Sequence, residues 1–259
     1  MRPLFFTLLW PTLLCAIWVG NPGQPGLLTH GVAWDKTRNW SVRLGYLSDY
    51  VYNQRFRDEK MFDDLLDEPT YVRLSTDSAL ITLNFKRKID LYALLGSSQL
   101  QVDHEVYSSR QFSWGVGGKA VIFRSHQFRI GIDAKYFSSA QSPQFFLDDG
   151  QAYNITSPFD FDYSEIQLAL GLSYSTRFLS PYVQATYLYA KIDPDPSFAI
   201  VRLPTAPILI DVDSNSVLGR KRWGLALGMT LLARETISLS LEARLLNQNG
   251  VDVSGELRF

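Results

Sequence analysis

A set of charged residues shares one context. Arg43, Lys119, Arg129, Asp133, Lys135, Glu242, Arg244, Asp252 and Glu256 lie in phase with glycines and serines and out of phase with large apolar side chains. Arg258 keeps the same phase but sits near the end of its segment, so it also reads as a rim charge. A strand with this period has one apolar and one polar face. If the apolar face meets lipid, the charges must turn inward, because an Arg or Lys facing lipid at mid-depth costs about 2–4 kcal/mol. Enclosed charges support two kinds of chemistry. One is a charged constriction that sets ion preference in a water-filled pore. The other is a network of ion pairs filling a narrow lumen. Residue types alone leave both open.

Other chemistry is poorly supported. His30, His104 and His126 are the only histidines, and none falls in a metal or nucleophile motif. A dyad of His104 with Asp103 or Glu105 would have to be completed from distant loops. Gly115-Val116-Gly117-Gly118-Lys119 lacks the spacing of a phosphate loop and the Ser or Thr after its Lys, so its glycines read as relief of crowding in a curved strand. The acidic run Asp58, Glu59, Asp63, Asp64, Asp67 and Glu68 does not follow the ligand order of a calcium loop and reads as a solvated loop. No enzyme activity, cofactor or metal is expected.

The elements that must position the inward charges are strands. Val42, Leu44 and Tyr46 alternate with Arg43 and Gly45, and Ala79, Ile81, Leu83 and Phe85 alternate with Thr82 and Asn84. The same period runs through Phe112–Ile122, Phe128–Tyr136, Ile166–Tyr174, Val183–Tyr189, Trp223–Leu231, Ile237–Leu245 and Val251–Phe259. A soluble sandwich would also alternate. Against it, the polar face is rich in Gly, Ala, Ser and Thr, which suit a confined lumen. Aromatics also gather near segment ends, as at Tyr50 and Tyr52, Phe159 to Tyr163, Tyr187 and Tyr189, and Phe259. In lipid such a sheet must close. Short connections near 86–88, 124–126, 178–180, 234–235 and 247–250 alternate with longer polar ones at 54–70, 98–110, 139–158 and 193–220. The expectation is an all-β transmembrane antiparallel barrel with an even strand count, twelve, with ten as the alternative. The two extra strands would come from 27–34 and 198–212.

Composition agrees. The 259 residues are 46% hydrophobic and 20% charged, with a net charge of −1, so neither disorder nor bulk nucleic-acid binding is indicated. Mean hydropathy is −0.06, too polar for a helical membrane bundle. Met1-Arg2 followed by the apolar run Leu4–Ala16 reads as a secretory signal peptide cleaved after Ala16, leaving one domain over residues 17–259. A lipoprotein signal would need a small residue before Cys15, and Leu14 is not small. Cleavage removes Cys15, the only cysteine, so no disulfide or thiolate site is expected.

Several pieces, in order along the chain, resemble the chlamydial major outer membrane porins. They are Val19-Gly20-Asn21-Pro22 and Gly31-Val32-Ala33-Trp34, VRLGYLSDYVY from Val42, DLYALLG from Asp90, Gly115–Ser142 ending in KYFSSAQS, RKRWGLALGMTLL, and the terminal LSLEARLLNQNGVDVSGELRF. The resemblance implies an outer-membrane porin that passes small hydrophilic solutes, and it implies trimers. This chain is shorter, mainly in its loops, and lacks the family's many cysteines, so a cross-linked envelope role does not carry over. Terminal Phe259 resembles the signal read by the barrel-assembly machinery. The expected partners are therefore outer-membrane lipid, that machinery and small solutes. The alternative function is a non-conducting structural or adhesive surface barrel acting through the loops at 54–70, 139–158 and 193–220.

Overall fold

Alternating segments become strands because only a pleated chain places every second side chain on one surface. The computed structural model describes residues 20–32, 39–56, 71–102, 106–148, 151–155, 160–194, 197–202, 207–212, 216–233 and 235–259. These hold strands β1 (Trp40–Arg55), β2 (Tyr71–Phe85), β3 (Ile89–Val102), β4 (Val106–Ser108), β5 (Gln111–Ser125), β6 (Phe128–Gln141), β7 (Pro143–Asp148) and β8 (Gln151–Asn154). They continue with β9 (Phe161–Tyr174), β10 (Leu179–Pro194), β11 (Ser197–Arg202), β12 (Pro207–Val212), β13 (Val217–Leu218), β14 (Trp223–Ala233), β15 (Ile237–Leu245) and β16 (Gln248–Arg258).

The ring runs β1-β2-β3-β5-β6-β9-β10-β14-β15-β16, and β16 pairs antiparallel with β1 to close it. The barrel therefore has ten strands, the lower of the two expected counts. The two further candidate segments are used differently. Of the first, residues 27–32 lie against the barrel interior and its rim and 33–34 fall outside the described residues, and within the second β11 and β12 pair with each other as a separate two-stranded sheet. Strands β4, β7, β8 and β13 extend the wall at the same end as the long loops.

The tight connections at 86–88, 126–127, 175–178 and 235–236 gather at one end with Phe259, here called the turn end. The connection at 246–247 is short but sits at the opposite, loop end. Strand direction requires this, because β15 runs away from the turn end and the chain must reverse there. Lys86 and Arg87 take left-handed φ values of 49° and 55°, and the Lys88 amide donates to the Phe85 carbonyl at 2.9 Å, the form of hairpin turn that matches strand twist.

The outer wall is apolar: Leu44, Leu91, Leu170 and Leu239 stand 46–52% exposed. Exposed Trp40, Phe85, Phe128, Tyr174 and Phe178 rim this band at the turn end, and Phe112, Trp114, Tyr136 and Trp223 rim it toward the loops. Girdles of this kind mark the two membrane interfaces. Among the described residues no helix is long and apolar enough to cross a membrane.

Candidate functional site: the barrel lumen

All nine inward candidates point into the barrel and are at most 7% exposed. Register sets which of them meet. Lys119 and Asp133 are cross-strand partners, with Nζ 3.8 Å from Oδ2, while Tyr92 donates to Asp133 Oδ1 at 2.8 Å. Lys135 reaches Glu165 at 3.5 Å, and Tyr163 donates to the other Glu165 oxygen at 2.8 Å. Arg43 pairs with Asp90 and lies 3.4 Å from Glu256. Asp49, Asp252 and Glu242 form a row across β1, β16 and β15. Arg244 reaches Asp49 at 3.0 Å and Glu242 at 3.8 Å, whereas neither Asp252 oxygen has a hydrogen-bond partner among the described residues. Arg129 lies apart from this network, at the turn end, where it donates to Ser175 Oγ at 2.8 Å.

The lower lumen is filled by the chain itself. Residues 20–32 run from mid-barrel to the turn end, with a single 3-10 turn at Gln24–Gly26. The Gly20 amide donates to Glu242 Oε2 at 3.0 Å, and Asn21 Nδ2 donates to Ser180 Oγ and Thr230 Oγ1, each at 3.1 Å. Gln24 Nε2 donates to Glu256 Oε2 at 2.6 Å and Asn84 Nδ2 to the Pro25 carbonyl at 3.0 Å. The barrel is shaped to admit this plug. Gly131 and Gly171 are cross-strand partners, and a Cβ on Gly131 would lie 2.2 Å from the Pro22 carbonyl oxygen. The Thr29 and His30 amides donate to the Glu235 carbonyl, and Arg258 donates to the Leu28 carbonyl, so the plug is fastened at the rim.

Toward the loops the expected polar lumen gives way to a hydrophobic core. Val51, Val72, Leu74, Leu100, Val102, Phe137, Leu188 and Ile192 pack inward with Tyr163, all fully buried or nearly so. On the outer face of β2 the switch falls between Asp77 and Ala79, while on the inner face Thr76, Ser78 and Leu80 make a mixed transition. Above it Arg73, Ser75 and Asp77 face out and Val72 and Leu74 face in, while below it Ile81 and Leu83 face out and Thr82 and Asn84 face in. Strand β3 inverts at the same level, with Ser97 and Gln99 outside and Leu100 and Val102 inside. The strands thus project past the apolar band as a water-facing wall around an apolar centre.

No family model matches the sequence. The major outer membrane porin, serovar E, of Chlamydia trachomatis is 20% identical over 374 aligned positions, covering 95% of each chain. Those of Chlamydia pneumoniae and Chlamydia muridarum are 23% and 20% identical, again covering 95% of each chain. The chain is similar, along 95% of its length, to the chlamydial major outer membrane porins. These alignments are longer than the chain's 259 residues, so the porin relatives carry inserted segments relative to it. Among solved structures, the translocator domain of autotransporter NalP from Neisseria meningitidis is 12% identical, covers 90% of this chain and 91% of its own, and gives a TM-score of 0.47. The outer membrane protease OmpT from Escherichia coli is 10% identical, covers 85% and 93%, and gives 0.39. Scores this low transfer neither activity.

Several lumen residues escaped sequence reading. Asp49, Asp90 and Glu165 complete the ion pairs, and Tyr92, Tyr163 and Tyr182 bind carboxylates from inward positions. Their phase with Arg43, Lys119 and Lys135 was the available signal. Gly117 and Gly228 make room for Tyr92 and Tyr182, whose rings lie 2.4 and 2.3 Å from where a Cβ would stand. At the rim, Thr29 and Glu235 both approach His30 through the same Nδ1, so the cluster lacks the two-sided contact of a proton relay. Among the described residues no group of His, Cys, Asp or Glu is placed to hold a metal ion. Phe259 ends the closing strand, its amide donating to the Val42 carbonyl at 2.9 Å. The acidic run at 58–68, His104 and the leader at 1–16 lie outside the described residues.

Proposed function

We propose that this chain is an outer-membrane barrel of porin descent that stands sealed and acts at the cell surface through its projecting wall and external loops. The observation that carries this reading is the occupied lumen. The plug, the ion-pair layer and the apolar core succeed one another along the axis, and inward side chains at every level are closed to water. A water-filled pore leaves its lining wet. Ten strands enclose a narrow interior, close to the width that side chains alone can fill.

A second reading is favoured by the porin names of relatives that align with 95% of this chain. In it the barrel passes small hydrophilic solutes and ions once the plug and the apolar core have moved, and Arg43, Lys119, Lys135 and Arg244 become the groups that bias ion passage. Both readings place the mature chain, cleaved after Ala16, in the outer membrane, with Phe259 as the assembly signal, a homotrimer as its association state and no catalytic role. A trimer is checked by cross-linking the protein in membranes.

Proteoliposome swelling in small sugars separates the two readings. A sealed barrel swells no faster than lipid alone. Swelling that scales with the amount of folded protein and falls with sugar size would overturn the first reading in favour of the second.

A further inference from the structure

Among the described residues, cations converge at the turn end. Two cavities of about 320 and 200 Å³ open there, and Gly26, Arg87, Arg124 and Arg129 line both. Lys86 and Lys88 add to the wall of the larger one, which has no acidic lining residue. Glu235 lines only the smaller cavity, and its carboxylate already accepts from the Thr29 hydroxyl and lies 3.4 Å from His30.

Arg124 and Arg129 stand directly opposite each other across β5 and β6. Like charges in that relation repel unless something lies between them. Arg129 is buried to 7% exposure, and its Nε has no hydrogen-bond partner among the described residues. A buried guanidinium with an unused donor is costly to leave uncompensated. A phosphate, with several acceptor oxygens, suits converging guanidinium and ammonium donors. The rest of the wall indicates where such a phosphate comes from. Val121, Ile122 and Phe123 complete it, and Ile122 and Phe123 are exposed on the outer surface at the edge of the apolar band.

We propose that this basic cavity is a phosphate site and that it holds the headgroup of an anionic phospholipid from the leaflet at the turn end. Because Gly26 forms part of the wall, the bound phosphate also ties the plug to the barrel. The site does not depend on whether the barrel conducts.

The test uses the full chain, folded in a zwitterionic detergent, with folding checked by heat-modifiable gel migration. Native mass spectrometry measures retention of phosphatidylglycerol against phosphatidylcholine. The expected result is a preference of about tenfold for phosphatidylglycerol, the scale of one or two charge-assisted hydrogen bonds. The preference should vanish in Arg124→Gln/Arg129→Gln and persist in Arg55→Gln/Lys221→Gln, which alters the loop end. Should the first pair not fold, Arg87→Gln/Lys88→Gln on the exposed turn must lower the preference. If lipid shows no preference but inorganic phosphate raises the unfolding temperature of wild type and not of the Arg124/Arg129 variant, the site is confirmed with a soluble source. A folded wild type indifferent to both, or a variant responding as wild type does, would overturn the proposal.

Discussion

The membrane band and the projecting wall use the same strands with opposite polarity. In the band, β2 and β3 turn Ile81, Leu83, Leu91 and Leu95 outward and keep Thr82, Asn84 and Asp90 inside, with a small apolar cluster of Leu47, Leu80 and Leu94 beside them. Past the band the same strands turn Arg73, Ser75 and Gln99 outward and Leu74, Leu100 and Val102 inside. Strand β10 repeats the change, from Val183 outside and Gln184 inside to Lys191 outside and Ile192 inside. The surrounding medium selects the outer face, and the inner face then takes the complementary character. A lumen facing away from lipid is free to hold charge, whereas a wall in water needs an apolar centre of its own.

The two interiors should answer mutation differently. The largest effect is expected from Arg244→Met, which leaves the Asp49, Asp252 and Glu242 row without its guanidinium. Losing one partner of a buried ion pair costs about 3–5 kcal/mol, read as a lower temperature for the heat-modifiable shift on gels. Leu100→Ala in the projecting core should cost about 2–3 kcal/mol by the same assay, as a cavity and not as a stranded charge. A double substitution removing charges on both sides, Lys135→Met with Glu165→Met, should recover much of the loss of either single change, and no such rescue applies in the apolar layer.

Plug and wall can be separated next. Gly131→Val places side-chain atoms where Pro22 sits, so it should expel the plug while changing barrel stability by less than about 2 kcal/mol. A thiol introduced by Gln24→Cys should be protected from a soluble maleimide in the parent barrel and labelled once Gly131→Val is added. The smallest effect belongs to the outer surface of the projecting wall. Arg110 and Asp77 pair at 2.5 Å but remain partly exposed, so Arg110→Ala should cost no more than about 1 kcal/mol.

Much of the barrel was legible because a lipid-facing strand repeats every second residue. The phase of Arg43, Lys119 and Glu242 with glycines and serines indicated their direction before any fold was known. The projecting core was harder to read. Where Tyr187 and Tyr189 face out while Leu188 and Ala190 face in, both phases are apolar and the period disappears. The plug was hidden for another reason. Asn21-Pro22-Gly23-Gln24-Pro25-Gly26 has no period, and the match of Pro22 to Gly131 and Gly171 exists only once distant strands pair. The strand count follows from these two gaps, since 27–34 and 198–212 are candidates for a wall that closes without them.

A lumen sealed along its length, as proposed, carries no ions. Single-channel recording of the purified, demonstrably folded protein in a planar bilayer decides the point. The expected result is a silent membrane at ordinary holding potentials. Stable current steps of one size from the unmodified protein would contradict it.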